Sequence, residues 1–321
     1  MARLTSRALH SVLVVVVAAS FAFLLLHLAP GDPISEIAEL SSVPAELRLQ
    51  WRAQAGYDQP IAVQYVRWIT DVAQGRFGPS TSQQRPVIDV IRDRLPNTLL
   101  LMSLALGASV LLGAALGAWQ GARAGTRRDR VLTFGSLLLY SIPEFWLALA
   151  LLYLFAFRLH MLPATGMMDA AMYDTMSPWQ QLVDRAQHLV LPWLSLTVIG
   201  TAIFARYQRA SMRDVLRESF VRTARAKGLT ESTIRRQAWR AAILPVVTLS
   251  GLFFPALLTG AVFVERVYGW PGMGTALLTA INGRDYALVS ACVIVGSAMT
   301  ALGSLLADVV RVFVDPRLRV P

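Results

Sequence analysis

The sequence has 321 residues, of which 55% are apolar and only 16% are charged. This balance excludes an ordinary soluble domain, because soluble domains carry about 25% charged residues. The net charge of +10 does not indicate a nucleic-acid partner, because the basic residues cluster between apolar stretches, as expected beside membrane lipid. We therefore predict an all-α, polytopic membrane protein.

Six apolar stretches are each read as a membrane-spanning helix, which needs about 20 residues to cross about 30 Å. They cover residues 9–28, 98–119, 132–157, 188–205, 242–264 and 286–313. The fourth stretch is short, and Pro192 is expected to interrupt it. The last five stretches form a predicted five-helix core over 98–313, and short segments at 1–8 and 314–321 flank the spans.

A secretory signal peptide is the alternative for the first stretch, because Arg3 and Arg7 precede its apolar run. The run over 9–28 is long for a signal peptide, and the segment from His27 to Pro30 provides no small-residue cleavage site. Both features favour a retained membrane span.

Basic and acidic residues are distributed unequally between the two sets of loops. With the N-terminus inside, and with Arg311 and Asp308 at the end of the last span counted as inner, the inner side holds 19 basic and six acidic residues, whereas the outer segments hold 11 basic and 13 acidic residues. Because short loops rich in arginine and lysine stay in the cytoplasm, this asymmetry predicts that both termini are cytoplasmic.

The outer segment, residues 29–97, is long enough to contain local structure. Three stretches in it, at 44–56, 60–75 and 86–95, begin with proline and show apolar residues at three-to-four spacing. We predict that these stretches are helices and that they form a small cap on the outer side of the membrane.

Glycines recur at every fourth position near the inner end of the second span. They are Gly113, Gly117, Gly121 and Gly125. Such a stripe of small residues lets two helix backbones approach closely, so we predict a tight helix contact here.

Carboxylates are scarce inside the spans, and Glu144 is the one predicted to lie deep in the membrane. Pro143 precedes it and is expected to kink the helix. Glu144 then either lines a translocation path and contacts a substrate ammonium group, or is satisfied by a neighbouring helix or by an interfacial position. Glu265 and Asp308 lie near span ends, where their side chains are expected to reach water.

No motif for catalysis, metal binding or a cofactor is present. Cys292 is the single cysteine, and the single lysine, Lys227, precedes glycine, so the chain lacks a CxxC pair and a Walker A loop. The histidines lack metal-ligand spacing; they are His10, His27, His160 and His188. We expect no enzymatic activity on this chain.

The inner loop, residues 206–241, contains ten basic residues and is far longer than a turn requires. A helix is predicted to run up to Lys227 and to end at Gly228, and a second helix is predicted to begin at Thr230 with Glu231 in its first turn. The charge pattern alone leaves two roles open, contact with anionic lipid headgroups or docking to a protein.

Motifs along almost the whole chain occur in a recognisable order. They are HLAPGDP at 27–33, DQPIAVQYVRW at 58–68, LPNTLLL at 95–101, SIPEFWLAL at 141–149, LPATG at 162–166, HLVLPWLSL at 188–196, RTARAKG at 222–228, ILP at 243–245, WPGMG at 270–274 and DPRLR at 315–319. In this order and spacing the sequence resembles the inner-membrane permeases of bacterial ABC importers, in the B-type branch of the dipeptide, oligopeptide and nickel permease family.

The resemblance implies a type I ABC-importer permease in the bacterial inner (plasma) membrane, with six transmembrane helices and no cofactor. It implies four kinds of partner: a second, similar permease, two separate ATPase subunits, an extracytoplasmic substrate-binding protein and membrane lipid. The implied cargo is a di- or oligopeptide, and a nickel chelate, glutathione or haem is the alternative within the family.

Two further hypotheses lie outside the family. A secondary carrier is disfavoured, because such a carrier would need more intramembrane carboxylates for its coupling ion. A non-transporting scaffold or sensor would leave the inner loop without a role.

The resemblance also assigns a coupling segment that contacts the ATPase. Its residues are Arg222, Thr223, Ala224, Arg225, Ala226, Lys227, Gly228 and Leu229. Arg222 stands where the general ABC motif has glutamate, and the interval of 17 residues from Gly228 to Pro245 is longer than in that motif. The outer segment and the WPGMG loop are expected to face the binding protein.

Overall fold

The computed structural model describes residues 2–28 and 58–314. Nearly all regular structure in these residues is helical, which confirms the all-α class. The helix predicted at 44–56 and the terminal DPRLR motif lie outside the described residues.

The helices follow one another with short connections. They are α1 (Ala2–Leu28), α2 (Ile61–Ala73), α3 (Val87–Gly121), α4 (Arg127–Ser141), α5 (Glu144–Leu151), α6 (Pro178–Val215), α7 (Ser219–Ala226), α8 (Glu231–Ala242), α9 (Leu244–Val267), α10 (Met273–Asn282) and α11 (Tyr286–Val314). A π-helical stretch, Leu152–Arg158, continues α5, and a short 3-10 turn covers Tyr173–Thr175. Two short antiparallel strands, β1 (Pro79–Ser80) and β2 (Arg85–Pro86), precede α3.

Several of these helices are long and apolar enough to cross a membrane. In the described part of the chain they are α3, α6 and the stretch Tyr286–Leu305 of α11. Helix α4 and the segment Glu144–Arg158 together form a fourth, broken candidate span that bends by 100°. The bend follows from Pro143, which forces Ile142 into an extended conformation and ends α4. The kink predicted at Pro143 is therefore confirmed.

Two other prolines do not break their helices. Pro96 lies inside α3, and Pro192 lies inside the 38-residue helix α6. The interruption expected at Pro192 is wrong, because a long helix packed against neighbours tolerates the loss of one backbone hydrogen bond. Leu191 and Pro192 are both buried in that packing.

The described chain divides into two compact units, and the first contains the residues up to Pro96 together with Thr275–Ala301. In this unit Phe23 of α1 packs against the rings of Tyr65 and Trp68 at 5.4 and 5.1 Å. The helix predicted at 60–75 is thus present as α2 and packs on α1 through aromatic residues.

The strand pair in the first unit was not predicted. The buried carboxylate of Asp285 accepts hydrogen bonds from the hydroxyl groups of Ser80 and Ser82, at 2.5 and 2.8 Å, and from the Ser82 N–H at 3.0 Å. A side chain more than 200 positions away thus fixes the turn between the strands.

The second unit contains Asn97–Gly274 and the residues from Leu302 onwards. Helix α6 lies at its centre and packs against α4, α5, α8 and α9. The buried hydroxyl of Tyr268, just after α9, donates a hydrogen bond to the Ala148 carbonyl of α5 and lies 2.9 Å from the Ser195 hydroxyl of α6. The Tyr268 side chain therefore connects the end of α9 to α5 and α6.

Candidate functional site

The first ten residues of the predicted inner loop continue α6 to Val215, and the rest of the loop forms two helices, α7 and α8, separated by a glycine turn. Gly228 has a φ of +75°, and its N–H donates to the Arg225 carbonyl while the Leu229 N–H donates to the Ala224 carbonyl. This pair of hydrogen bonds is the Schellman motif, which requires a left-handed residue at its turn. The predicted end of α7 at Gly228 and the predicted start of α8 after Thr230 are both confirmed.

The predicted coupling segment, Arg222–Leu229, has one buried residue and an exposed side. Ala224, together with Val221 just before the segment, is buried against Ile234 of α8. The other residues of the segment are exposed; they are Arg222, Thr223, Arg225, Ala226, Lys227, Gly228 and Leu229. The exposed side thus forms a basic edge, Arg222, Arg225 and Lys227, around the glycine turn. Ala224 belongs to the packing contact between α7 and α8.

An ion pair spans the glycine turn on its exposed side. The Arg225 Nε lies 2.7 Å from Glu231 Oε1. This hydrogen bond holds the pKa of the Glu231 carboxyl below its ordinary value and raises the pKa of Arg225. Arg225 is therefore occupied by a partner within the loop, whereas Arg222 and Lys227 extend the basic edge.

The two-helix loop is attached to the membrane helices through α8. Met212 and Val215, in the last turn of α6, form a buried apolar cluster with Ala238 and Ala242 of α8. Because α6 is continuous from Pro178, this cluster connects the inner loop to the core of the second unit.

Three glycines of α3 lie directly against α6. A Cβ at Gly113 would lie 2.5 Å from the Phe204 Cβ, one at Gly117 would lie 2.4 Å from the Ala205 carbonyl oxygen, and one at Gly121 would meet Met212. We call this contact the α3–α6 seam. Gly125 takes no part in it, because a Cβ there would have no neighbour within 4 Å, and its φ of +88° instead serves the turn before α4.

A buried ion pair lies beside the seam. Asp129, in the first turn of α4, is fully buried and accepts hydrogen bonds from Arg209 Nε at 2.6 Å and Arg209 Nη2 at 2.8 Å. The Gly125 N–H donates to the same carboxylate at 2.8 Å. This pair was not predicted, although an acidic residue three positions after the N-cap Thr126 in a basic loop was a usable signal.

The predicted path residues lie at the bend of the broken span. Pro143 is exposed and caps α5, and Glu144 is half-buried in the first turn of that helix. Within the described residues the Glu144 carboxylate has no ion-pair partner, so its charge is not neutralised inside the described part of the chain.

Glu265 does not reach water, contrary to expectation. It is fully buried, and its carboxylate accepts hydrogen bonds from the Thr98 hydroxyl at 2.6 Å and the Gly274 N–H at 2.7 Å. The Thr98 hydroxyl in turn accepts from the Met273 N–H. The WPGMG loop folds over the end of α9 and covers the carboxylate.

The burial of the WPGMG loop also bears on its expected role. Trp270 is 1% exposed, and its indole N–H donates to the Asn97 carbonyl, while the Asn97 amide donates to the Pro271 carbonyl. Gly272, Met273 and Gly274 are buried as well. The loop therefore packs inside the second unit and has little exposed surface, and its contact with a binding protein stays a prediction.

A polar cavity of about 720 Å³ lies in the second unit, between the π-helical stretch and the start of α6. His160, Asp169, Asp184 and His188 line it, and His188 Nδ1 lies 3.2 Å from the Asp184 carboxylate. Among the residues that the structure describes, no three His, Cys, Asp or Glu side chains are arranged so that they could bind one metal ion.

These features define a class of protein before any comparison. Several long apolar helices, a sharply bent candidate span and an exposed two-helix loop make this chain a polytopic, all-α membrane protein. The chain belongs to the family described as "Binding-protein-dependent transport system inner membrane component", whose model matches residues 109–320. The model of the N-terminal part of these membrane components matches residues 1–102. The predicted resemblance to a permease subunit of an ABC importer is confirmed.

Full-length relatives agree with this family. The chain is 33% identical to the oligopeptide transport system permease protein AppB of Bacillus subtilis, over 97% of each chain. It is 35% identical to the oligopeptide transport system permease protein OppB of Mycobacterium bovis, over 100% of each. It is 36% identical to the glutathione transport system permease protein GsiC of Salmonella paratyphi A, over 94% of each.

Proposed function

We propose that this chain is one of two permease subunits of an ATP-driven importer that carries di- or oligopeptides across the inner membrane. The observation that carries the proposal is the end-to-end similarity to oligopeptide permeases. Glutathione, a nickel chelate and haem are the alternatives, and the similarity to a glutathione permease specifically supports the first of these.

The remaining subunits follow from this role. A second, similar permease completes the translocation path, two separate ATPase subunits hydrolyse ATP, and an extracytoplasmic binding protein delivers the cargo. Both termini and the inner loop lie in the cytoplasm, as the excess of basic residues in the inner segments supports. The six predicted spans are retained in this proposal.

The coupling segment is the contact with the ATPase. Arg222 and Lys227 give its exposed edge a positive charge, and the apolar side chains of Phe220, Leu229 and Trp239 are 38 to 41% exposed. This combination fits a protein groove with an apolar floor and acidic rim better than it fits lipid headgroups alone. Arg222, which replaces the glutamate of the general motif, then pairs with an acidic residue of the ATPase.

Transport proceeds by alternating access. When the ATPase dimer closes on ATP, the coupling segments of the two permeases move together. The attached helices then rock, so that the translocation path between the two permeases opens outward. The binding protein then releases cargo into this path, and ATP hydrolysis restores the inward-facing state.

Glu144 contributes to the path in this mechanism. A half-buried carboxylate beside a helix break, without an ion-pair partner in the described residues, suits a transient contact with a peptide ammonium group. In vesicles containing the full complex, Glu144→Gln is expected to raise the KM for peptide uptake while ATPase binding stays normal. An unchanged KM and uptake rate would contradict this role.

The subunit composition is the direct test of the proposal. The chain is purified from its native host in a mild detergent, and the co-purifying proteins are identified by mass spectrometry. We expect a second permease and an ATPase in the complex. Recovery of the chain without any ATPase would contradict the proposal, and the ligand bound to the cognate binding protein would decide among the cargoes.

A further inference from the structure

The Asp129–Arg209 ion pair connects two elements that the proposed mechanism moves. Arg209 lies on α6, one turn before the residues Met212 and Val215 that hold α8. Asp129 lies in the first turn of α4, the arm of the broken span that ends at the bend. Both hydrogen bonds of the pair are short and the carboxylate is fully buried, so the contact is rigid.

Stability alone does not account for a charged pair at this place. The Asp129 carboxylate is fully buried, and the Arg209 side chain is 23% exposed. Burial of an ion pair costs desolvation energy that the attraction often fails to recover, and apolar replacements are frequently as stable. What an ion pair of fixed geometry adds is a defined register between two helices. Here it defines the register of α4 on α6 at the level of the inner loop.

The neighbouring contacts leave little freedom for α6 to move alone. The α3–α6 seam places backbone atoms of Ala205 and Arg209 against Gly117, so α3 and α6 behave as one body at this level. Helix α4 also packs along α6, and the bend separates it from α5. Within this α4–α6 contact, the ion pair is the charge-assisted contact of fixed geometry, and it sets the position of the start of α4 on α6.

We propose that Asp129 and Arg209 are positioning residues that transmit displacement of the inner loop to α4 and so to the bend at Pro143. The proposal rests on the proposed importer function and extends it to residues outside the coupling segment. When the coupling segment moves, α8 displaces the end of α6, Arg209 carries Asp129 with it, and the bent span changes its angle.

The informative variant removes both charges, Asp129→Asn with Arg209→Gln. Arg209→Gln alone would leave the buried Asp129 carboxylate without its partner and threaten folding, whereas the double variant leaves neither charge unpaired. The complete complex, with both permeases, the ATPases and the binding protein, is reconstituted in vesicles, and peptide uptake and ATP hydrolysis are measured together. We expect assembly with normal yield and retained ATP hydrolysis, with peptide uptake per ATP reduced at least about tenfold.

A matched control lies one turn away on the same helix. Arg213 and Asp214 also form an ion pair, at 3.4 Å, but their side chains are 42% and 65% exposed. Arg213→Gln with Asp214→Asn should leave uptake per ATP unchanged, because exposed pairs contribute little. Wild-type coupling in the Asp129–Arg209 double variant would overturn the proposal and reduce the pair to a structural contact.

A second readout does not depend on the cargo. Ser141→Cys places an exposed thiol at the end of α4. The native Cys292 is buried, and labelling of the protein without the new cysteine gives the background labelling rate. Maleimide labelling of this thiol is compared in nucleotide-free and vanadate-trapped complexes. We expect the labelling rate to depend on nucleotide in the wild-type background and to become independent of it in the Asp129–Arg209 double variant.

The two readouts separate failure of this inference from failure of the proposed function. A complex that takes up no peptide would contradict the peptide cargo, and the inference would still be supported if labelling depends on nucleotide in the wild type and loses this dependence in the double variant. Labelling that is independent of nucleotide in the wild type, or that stays dependent in the double variant, would overturn the inference even if peptides are transported.

Discussion

Glu265 and Asp129 show how a buried carboxylate orders the backbone around it. Each is fully buried, and the donors to each include a backbone N–H and a side chain, Thr98 for Glu265 and Arg209 for Asp129. A buried charge is tolerated only with such donors. Each carboxylate therefore fixes the loop that supplies its backbone donor.

Glu265→Gln is expected to destabilise the folded protein. The amide keeps the shape of the side chain, but its NH2 group must face either the Thr98 hydroxyl or the Gly274 N–H, which then loses its acceptor. The expected cost is about 1–3 kcal/mol. Thermal unfolding of the purified complex in detergent measures it. Glu144→Gln, at a half-buried position, is the control, and equal melting temperatures for the two variants would contradict the role of Glu265.

The Arg225–Glu231 pair predicts an acid limit for the glycine turn. Because the hydrogen bond from Arg225 lowers the pKa of Glu231, the pair stabilises the turn above the ordinary carboxyl pKa and is lost as pH falls through the lowered value. Hydrogen exchange of the turn amides, corrected for intrinsic rates, should show constant protection near neutral pH and reduced protection below about pH 4. In Glu231→Gln the protection should be lower and independent of pH. Identical profiles would contradict the prediction.

At the scale of elements, the sequence predicted best those boundaries that one residue determines. Gly228 ends α7 because it adopts the left-handed conformation of the turn, and Pro143 breaks the span that contains α4 and α5 because it constrains Ile142. Both effects act within a few residues, so a local pattern reports them. Helix lengths were predicted less well, because packing against neighbours carries α6 through Pro192.

The contacts that sequence reasoning missed join distant positions. Asp285 fixes a turn at Ser80 and Ser82, and Arg209 pairs with Asp129 eighty positions earlier. Glu265 was expected near water because it follows an apolar stretch, and only the folding of the WPGMG loop over it explains its burial. Partner choice of this kind depends on tertiary structure, which a local pattern does not contain.

The α3–α6 seam gives a prediction for a pair of glycines on one helix. In Gly117→Ala the new methyl group would lie 2.4 Å from the Ala205 carbonyl oxygen, so the helices must separate, at a cost of about 1–3 kcal/mol. Gly107→Ala, where no atom lies within 4 Å, should stabilise α3 by up to about 1 kcal/mol. Thermal unfolding of the two variants under identical detergent conditions checks the opposite signs. Equal effects would show that the seam is not tightly packed.

At the scale of the molecule, α6 is the element on which the second unit is organised. Its start lines the polar cavity, its middle contacts Tyr268, and its end holds Arg209 and the apolar cluster with α8. A continuous helix of 38 residues is about 57 Å long, so α6 extends from the polar cavity to the inner loop. The proposed coupling mechanism relies on this continuity.

Gly228 tests whether the shape of the inner loop governs coupling. A Cβ at Gly228 would meet no atom within 4 Å, so the only obstacle to substitution is the φ of +75°. The left-handed conformation costs valine roughly 1–2 kcal/mol or more in conformational free energy, whereas asparagine adopts it readily. In the reconstituted complex we expect Gly228→Val to lower peptide uptake per ATP or to release the ATPases, and Gly228→Asn to behave like the wild type. Because the two variants have the same net charge, a role in lipid contact alone would leave both coupled. Full coupling in Gly228→Val would therefore establish the loop as a charged membrane anchor and contradict its docking role.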